Sequence, residues 1–276
     1  MIRLMRLDRP IGWLLLMWPT LWALWIAGDG APPPFIVVIF VAGVIITRAA
    51  GCVINDYADR DFDLHVERTR DRPLASGVLG TRDAIIAGVI LGVMAIVLVL
   101  QLNRLTLLLS LAAVFIAVSY PFLKRYTHLP QIWLGIAFSW GIPMAFSALT
   151  ETVPAIAWWL LVANLCWTVA YDTMYAMSDR PDDLKIGVKS TAVLFGRHDL
   201  AFIALFYAAF FVILWWLGIR LGFGGYFNLG LIIAIAIASL LVFQCRHRDR
   251  GACFRAFVSN SWIGGTIFFG LLLSYL

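Results

Sequence analysis

The stretch IVVIFVAGVIITRAAGCVINDYADRDFD, residues 36–63, joins an apolar run directly to a cluster of acidic residues. Residues 36–54 carry a single charge, Arg48, whereas the nine residues that follow contain four aspartates. A run of roughly 20 apolar residues is long enough to cross a bilayer as a helix. Because the C-terminal end of a helix disfavours carboxylates, this much acid at the end of a span needs a positive partner.

Apolar runs of this kind recur along the whole chain. The 276 residues are 62% hydrophobic and 13% charged, whereas soluble domains are about half apolar and a quarter charged. We predict an all-α, polytopic membrane protein that forms one domain over residues 1–276. The nine predicted transmembrane helices are 11–28, 34–54, 84–101, 105–120, 131–149, 154–175, 199–218, 227–244 and 256–275.

The basic residues predict the orientation of these spans. All but three of the 21 Lys and Arg residues lie in the N-terminal segment or in loops on one side; the exceptions are Arg48, Arg104 and Arg220. Cytoplasmic loops of membrane proteins are enriched in Lys and Arg. The N-terminus is therefore predicted to be cytoplasmic and the C-terminus periplasmic. Because this asymmetry explains the net charge of +5, we predict no nucleic-acid partner.

A second acidic stretch, YDTMYAMSDRPDDLKIGVKS at residues 171–190, follows the sixth span on the same side. At about 100° per residue, Arg48, Asn55, Asp59 and Asp63 fall within roughly 80° of one another on a helix. If the sixth helix continues, Asp172, Asp179 and Asp183 fall within roughly 40°. Pro181 argues against that continuation, since proline usually breaks a helix. Asp56, Asp61 and Asp182 are predicted to cap a helix or face water.

Two explanations of the acidic clusters differ in what they predict. Acid near a helix end can simply cap it or face solvent, but the helix dipole and repulsion between carboxylates at i,i+4 oppose that explanation. Hard carboxylate oxygens suit Mg²⁺, which commonly joins protein carboxylates to substrate phosphates. Interleaved basic residues fit a bound polyphosphate: Arg68, Arg72, Lys124, Lys185 and Lys189. GVKS at 187–190 lacks the upstream glycine of a nucleotide-binding P-loop.

Arg48 is the one basic residue predicted to lie within a span. A charge at that depth costs on the order of 3 kcal/mol and usually marks a functional site. Arg48 could bind a diphosphate or a substrate carboxylate, or it could form a structural ion pair with one of the aspartates.

Three motifs now resemble one protein family. NDYADRDFDLHVERTRDRPL, SYPFLK and YDTMYAMSDRPDDLKIGVKSTAVLFG are similar, in order and spacing, to the signatures of the UbiA superfamily of intramembrane prenyltransferases. The resemblance is greatest to its bacterial 4-hydroxybenzoate polyprenyltransferase branch. It implies nine transmembrane helices around a central cavity that opens to the cytoplasmic side of the inner membrane. It also implies Mg²⁺-dependent transfer of a polyprenyl group from polyprenyl diphosphate to 4-hydroxybenzoate, ortho to the hydroxyl, in ubiquinone biosynthesis.

The resemblance further implies the roles of individual residues. Asp59, Asp63, Asp179 and Asp183 would be catalytic. The metal ligands would be Asn55, Asp59, Asp63, Asp172, Asp179 and Asp183. The diphosphate would be bound by Arg48, Arg68, Arg72, Tyr120, Lys124 and Lys189. Arg125 would bind the carboxylate of the aromatic substrate.

Two other functions stay open at this point. A UbiA-type enzyme could prenylate a different acceptor, such as haem or another quinone precursor. A transporter is disfavoured, because transporters carry ionisable residues near the membrane midplane, whereas the charges here gather on one face.

Overall fold

The computed structural model describes residues 1–8, 11–63, 69, 71–123 and 126–276, with side chains at all of these except 61–63, 122 and 186. Within these ranges every regular element is helical. The α-helices are α1 (Ile11–Ala27), α2 (Pro34–Asp63), α3 (Thr81–Val99), α4 (Arg104–Leu123), α5 (Pro130–Ser139), α6 (Gly141–Thr150), α7 (Ala155–Ile186), α8 (Thr191–Phe195), α9 (Asp199–Arg220), α10 (Gly225–Gln244) and α11 (Arg250–Leu273).

The described helices provide the nine spans that the sequence predicts. Eight apolar segments are long enough to cross a membrane, and the shorter α1 is the ninth. Helices α5 and α6 together make one span, 130–150, interrupted at Trp140. A helix suits a bilayer because it satisfies its backbone hydrogen bonds internally. The prediction of an all-α membrane protein is confirmed.

Two helices are longer than predicted, and both extensions carry acidic residues. The predicted spans end at residues 54 and 175, whereas α2 continues to Asp63 and α7 continues to Ile186. The acidic clusters therefore lie on helices rather than in loops. The expectation that Pro181 ends the sixth helix is wrong, because α7 runs through it. We call the side of the bundle where α2 and α7 end the motif face.

Helix α7 lies at the centre of the bundle and packs against α5, α9 and α11. Most of its apolar length is buried, whereas α3 and α4 leave most of theirs exposed at the periphery. Helices α10 and α11 pack backbone to backbone: the Cβ of an alanine at Gly230 would lie 2.9 Å from the carbonyl oxygen of Thr266 and 3.2 Å from the Cα of Gly270. Small residues permit this approach between membrane helices.

A buried aromatic cluster joins α1, α7, α9 and α11. The ring centroids of Trp22 and Trp167 are 5.5 Å apart, and Trp167 stacks on Phe210 at 5.6 Å. The Asn260 side-chain oxygen accepts hydrogen bonds from Trp167 Nε1 at 3.0 Å and from the Tyr207 hydroxyl at 2.7 Å. Because buried polar groups are costly without partners, this network fixes α11 against α7 and α9.

Candidate functional site

The last turns of α2 bring the first acidic motif into the bundle. Asp59 is 1% exposed, and Asn55, one turn earlier, is half-buried. Residues at i and i+4 lie on the same face of a helix, so the continuous helix places these two as predicted. Asp63 continues the series on the α2 backbone, but its side chain lies outside the described residues.

Asp56 differs from its predicted role. It is 1% exposed, so it does not face water, and its Oδ1 accepts ion-pair contacts from Arg6 at 2.8 Å and from Arg72 at 3.1 Å. Arg6 lies in the N-terminal segment, and Arg72 lies in the connection between α2 and α3. Asp56 therefore ties the N-terminal segment and the α2–α3 connection to the acidic helix end. Arg72, a predicted diphosphate ligand, is within hydrogen-bonding distance of this carboxylate.

The second acidic motif occupies the last four turns of α7. Asp172 and Asp183 are each 9% exposed, and Asp179 is half-buried. The Ser178 hydroxyl lies 3.4 Å from Asp179 Oδ1. Gly187 ends the helix in the left-handed region with φ 74°, and its N–H donates to the carbonyl of Asp183. Glycine at such a helix end avoids a Cβ clash.

Side chains from both acidic helix ends lie within electrostatic range of Tyr120, near the end of α4. Its hydroxyl interacts electrostatically with Asp172 and Tyr175 of α7 and with Asp59 and Arg48 of α2. These side chains come from parts of the sequence more than 100 residues apart. The structure thus brings Arg48, Asp59, Tyr120 and Asp172 of the predicted site together. Tyr175, whose ring centroid lies 4.8 Å from that of Phe257, was not predicted.

Arg48 lies deeper than the acidic residues and is half-buried. Its guanidinium carbon is 5.9 Å from the ring centroid of Phe138. Gly12 of α1 packs against it closely, since a Cβ at Gly12 would lie 2.7 Å from Arg48 Nε. That buried Nε has no hydrogen-bond partner, and Arg48 has no salt bridge, among the described residues. Among the described residues, therefore, no structural ion pair explains why Arg48 lies within a membrane span.

The segment after α7 is fixed by hydrogen bonds to other parts of the bundle. The Thr191 N–H donates to Gln131 Oε1 at 3.1 Å, and the Thr191 and Thr173 hydroxyls lie 2.8 Å apart. Lys189, two residues earlier, donates from Nζ to the carbonyl oxygen of Tyr126 at 3.3 Å. Three other predicted ligands lie outside the described residues: Arg68, Lys124 and Arg125.

Ion pairs connect the end of α7 to the neighbouring helices. Asp182, predicted to cap a helix or face water, instead lies 3.0 Å from Arg250 Nη2, with the exposed Lys185 at 3.6 Å. Asp199, fully buried at the start of α9, pairs with Arg180 at 3.3 Å and with Arg248 at 2.8 Å. Hydrogen bonding to Asp199 raises the pKa of Arg248. The ion pairs of Asp199, Arg248 and Arg250 were not predicted, because the only local signal in the sequence is an acidic residue at the start of a helix.

The chemistry of the acidic side chains fits a hard divalent cation. Among the described residues no three His, Cys, Asp or Glu side chains group tightly enough to bind a metal unaided. Mg²⁺ does not need such a group, because it usually keeps several waters and takes one or two carboxylates together with substrate phosphates. Buried carboxylates at Asp59, Asp172 and Asp183 supply oxygen ligands of this kind on both helix ends.

Comparisons with known proteins match nearly the whole chain. The model of the UbiA prenyltransferase family matches residues 16–271. A relative from Aromatoleum aromaticum, a 4-hydroxybenzoate octaprenyltransferase, is 56% identical over 99% of this chain and 93% of its own length. One of the same name from Chromohalobacter salexigens is 57% identical over 99% and 92%.

Solved structures show the same fold. A UbiA homologue from Aeropyrum pernix superposes with a TM-score of 0.83 at 24% identity, covering 95% of this chain and 98% of its own. A UbiA homologue from Archaeoglobus fulgidus, bound to GPP and Mg²⁺, gives a TM-score of 0.75 at 18% identity, covering 99% and 98%.

Proposed function

The chain belongs to the UbiA prenyltransferase family, and on that premise we propose that it prenylates 4-hydroxybenzoate. The reaction moves a polyprenyl group from polyprenyl diphosphate to the ring carbon ortho to the hydroxyl and releases diphosphate, as a step of ubiquinone biosynthesis. Support comes from relatives named 4-hydroxybenzoate octaprenyltransferase that share more than half of their residues with this chain across nearly its full length.

One structural observation carries the proposal: Asp59 and Asp172, from the two acidic helix ends, and Arg48 all lie within electrostatic range of Tyr120 at the motif face of an apolar bundle. A diphosphate is strongly hydrated, whereas a polyprenyl tail is insoluble in water. A charged site at the end of apolar helices holds both parts of such a donor where each is stable. A protein that bound only a water-soluble acceptor, or a free nucleotide, would not need a charged site at the end of apolar helices.

The two helix ends would hold the metal together with the diphosphate. On the α2 end the ligands would be Asn55, Asp59 and Asp63, and on the α7 end they would be Asp172, Asp179 and Asp183. When bound, Mg²⁺ neutralises charge that develops on the diphosphate as it leaves. Arg48, Arg68, Arg72, Tyr120, Lys124 and Lys189 would contribute hydrogen bonds and positive charge to the same oxygens.

The reaction replaces a carbon–oxygen bond by a carbon–carbon bond. The bond between C1 of the prenyl group and the diphosphate oxygen breaks, and both electrons leave with the diphosphate. The allylic C1 cation is attacked by the ring carbon of 4-hydroxybenzoate, whose ring proton is then lost to restore aromaticity. Aromatic faces stabilise cations, and the rings of Tyr120, Phe138 and Tyr175 lie near Arg48 or the acidic residues. Arg125 would pair with the substrate carboxylate.

The proposal includes a place and an orientation in the cell. The chain would form one prenyltransferase domain over residues 1–276 in the bacterial inner membrane. Its motif face would be cytoplasmic, with the N-terminus on that side and the C-terminus in the periplasm. The excess of Lys and Arg at the motif face supports this orientation. The lipid bilayer would supply the polyprenyl donor laterally.

Acceptor selectivity tests the function. Membranes containing the protein should transfer radiolabelled polyprenyl groups to 4-hydroxybenzoate when Mg²⁺ is supplied, and chelation should stop the transfer. 4-Hydroxybenzyl alcohol, which lacks the carboxylate, and benzoate, which lacks the hydroxyl, should each be poor acceptors. If the protein transferred the polyprenyl group to haem or to another quinone precursor in preference to 4-hydroxybenzoate, the proposed acceptor would be wrong and the preferred compound would be the acceptor.

Matched variants separate this function from transport. Asp59→Asn should abolish transfer, whereas Asp29→Asn, at an exposed carboxylate on the opposite face, should leave it unchanged. Flux of 4-hydroxybenzoate across proteoliposomes without any prenyl donor would instead support a transporter.

A further inference from the structure

The position of Pro181 creates a weak point inside the second acidic motif. Proline has no N–H, so residue 181 cannot donate a hydrogen bond to the carbonyl of Met177, and its ring crowds that carbonyl. Yet α7 continues through Pro181 to Ile186. Asp179 lies before the proline and Asp183 lies after it. Their relative placement therefore depends on a turn whose own backbone bonding is incomplete.

Ion pairs on both sides of the proline connect this turn to other helices. Before it, Arg180 lies 3.3 Å from the buried Asp199 at the start of α9. After it, Asp182 Oδ1 lies 3.0 Å from Arg250 Nη2 in the first turn of α11. The Asp182 side chain is only 14% exposed, whereas Lys185, its other partner, is 75% exposed. Exposed pairs contribute little, so Arg250 is the stronger anchor of the two.

The two residues that precede Arg250 are themselves held by hydrogen bonds. The Asp249 side chain caps α11 by accepting a hydrogen bond from the Ala252 N–H at 2.8 Å. Arg248, one residue earlier, pairs with Asp199 through Nε and Nη2. Of the two residues that precede Arg250, Arg248 thus attaches the turn between α10 and α11 to α9, and Asp249 caps the first turn of α11. Arg250 therefore extends from a turn whose two preceding side chains are both hydrogen-bonded.

We infer that Arg250 is a positioning residue for the second acidic motif, acting through Asp182 to hold the turn after Pro181 in line with the rest of α7. Asp182 accordingly serves as an anchor point and not as a metal ligand. The inference rests on the proposed function only where it concerns Mg²⁺. Its structural part, the holding of residues 182–188, stands on the ion pair and on the proline alone.

The test compares Arg250→Gln with Arg246→Gln by hydrogen exchange of the detergent-solubilised protein. Arg246 belongs to the same turn, but its described contacts are with His247 and Phe243. Amides in peptides covering 182–188 should exchange about three- to five-fold faster in Arg250→Gln and not in Arg246→Gln, as expected for losing one partly exposed ion pair. Peptides covering 158–170 should be unchanged in both variants.

Adding Pro181→Ala makes the test specific. Alanine restores the missing N–H, so Arg250→Gln should change exchange less than two-fold in that background. The Mg²⁺ concentration for half-maximal prenyl transfer should likewise rise about three- to five-fold in Arg250→Gln, with the maximal rate kept within two-fold, and should return in the double variant. Arg250→Lys should retain most of the parent behaviour.

Each outcome decides a separate point. Unchanged exchange in Arg250→Gln, or an equal effect with alanine at 181, overturns the inference. Faster exchange with an unchanged Mg²⁺ requirement overturns the positioning role. A parent protein that transfers no prenyl group contradicts the proposed function, while the exchange measurement still decides the anchor.

Discussion

We expect the buried carboxylate of Asp199, at the motif face, to make a large contribution to the free energy of unfolding. It is fully buried and accepts a bidentate contact from Arg248, at 3.0 Å from Nε and 2.8 Å from Nη2, and a further contact from Arg180 at 3.3 Å. Asp199→Asn keeps the shape and still accepts from the Leu200 N–H, bonded at 2.8 Å in the parent. The substitution therefore removes the charge with little change in packing.

Removing one partner of a buried ion pair costs about 3–5 kcal/mol. Arg180 and Arg248 are 26% and 39% exposed, so water compensates part of their loss, and we expect about 2–3 kcal/mol. For a chain of this size that corresponds to a Tm lower by roughly 4–10 °C. Thermal unfolding in detergent measures it, with Asp29→Asn as the isosteric control at an exposed carboxylate. A Tm within about 1 °C of the control would refute the reasoning.

Two further predictions concern the far end of the bundle. Gly230→Ala places a methyl group 2.9 Å from the carbonyl oxygen of Thr266 and should lower the free energy of unfolding by about 1–3 kcal/mol. The control is Gly43→Ala, whose methyl group would have no atom within 4 Å and which should not lower it. Equal unfolding curves for the two variants would contradict this prediction. Burial raises the pKa of Tyr275 to about 12, so the folded protein holds this proton where the unfolded chain loses it, and stability should fall between pH 10 and 12. Tyr275→Phe should reduce this pH-dependent loss of unfolding free energy by at most about 2 kcal/mol. The measurement compares the unfolding free energy of the parent and the variant as a function of pH, and identical pH profiles would contradict the prediction.

Much of the fold follows from local patterns in the sequence. Nine apolar runs predict nine spans, because the bilayer sets both their length and their helical form. Helical phase also places Asn55 and Asp59 on one face, since α2 continues without a break. These predictions succeed because each depends only on residues that are close together in the sequence, within a few helical turns.

What the sequence did not predict depends on distant partners. Pro181 favours a helix end locally, but contacts from α9 and α11 hold α7 intact through it, so tertiary packing overrides propensity. Asp56 resembles a solvated residue until Arg6, 50 residues away, is found beside it. Ion pairs of this kind have no periodicity and leave no local signal.

The most direct test of the central claim is a double-variant comparison of prenyl transfer across the two helix ends. Mg²⁺-dependent transfer to 4-hydroxybenzoate is measured for Asp59→Asn, Asp183→Asn and the protein carrying both. If α2 and α7 form one metal–diphosphate site, each single change should lower the rate by at least about 100-fold, and the double variant should lose little more than either alone. Losses that multiply, or a single variant within a few-fold of the parent rate, would contradict a shared site.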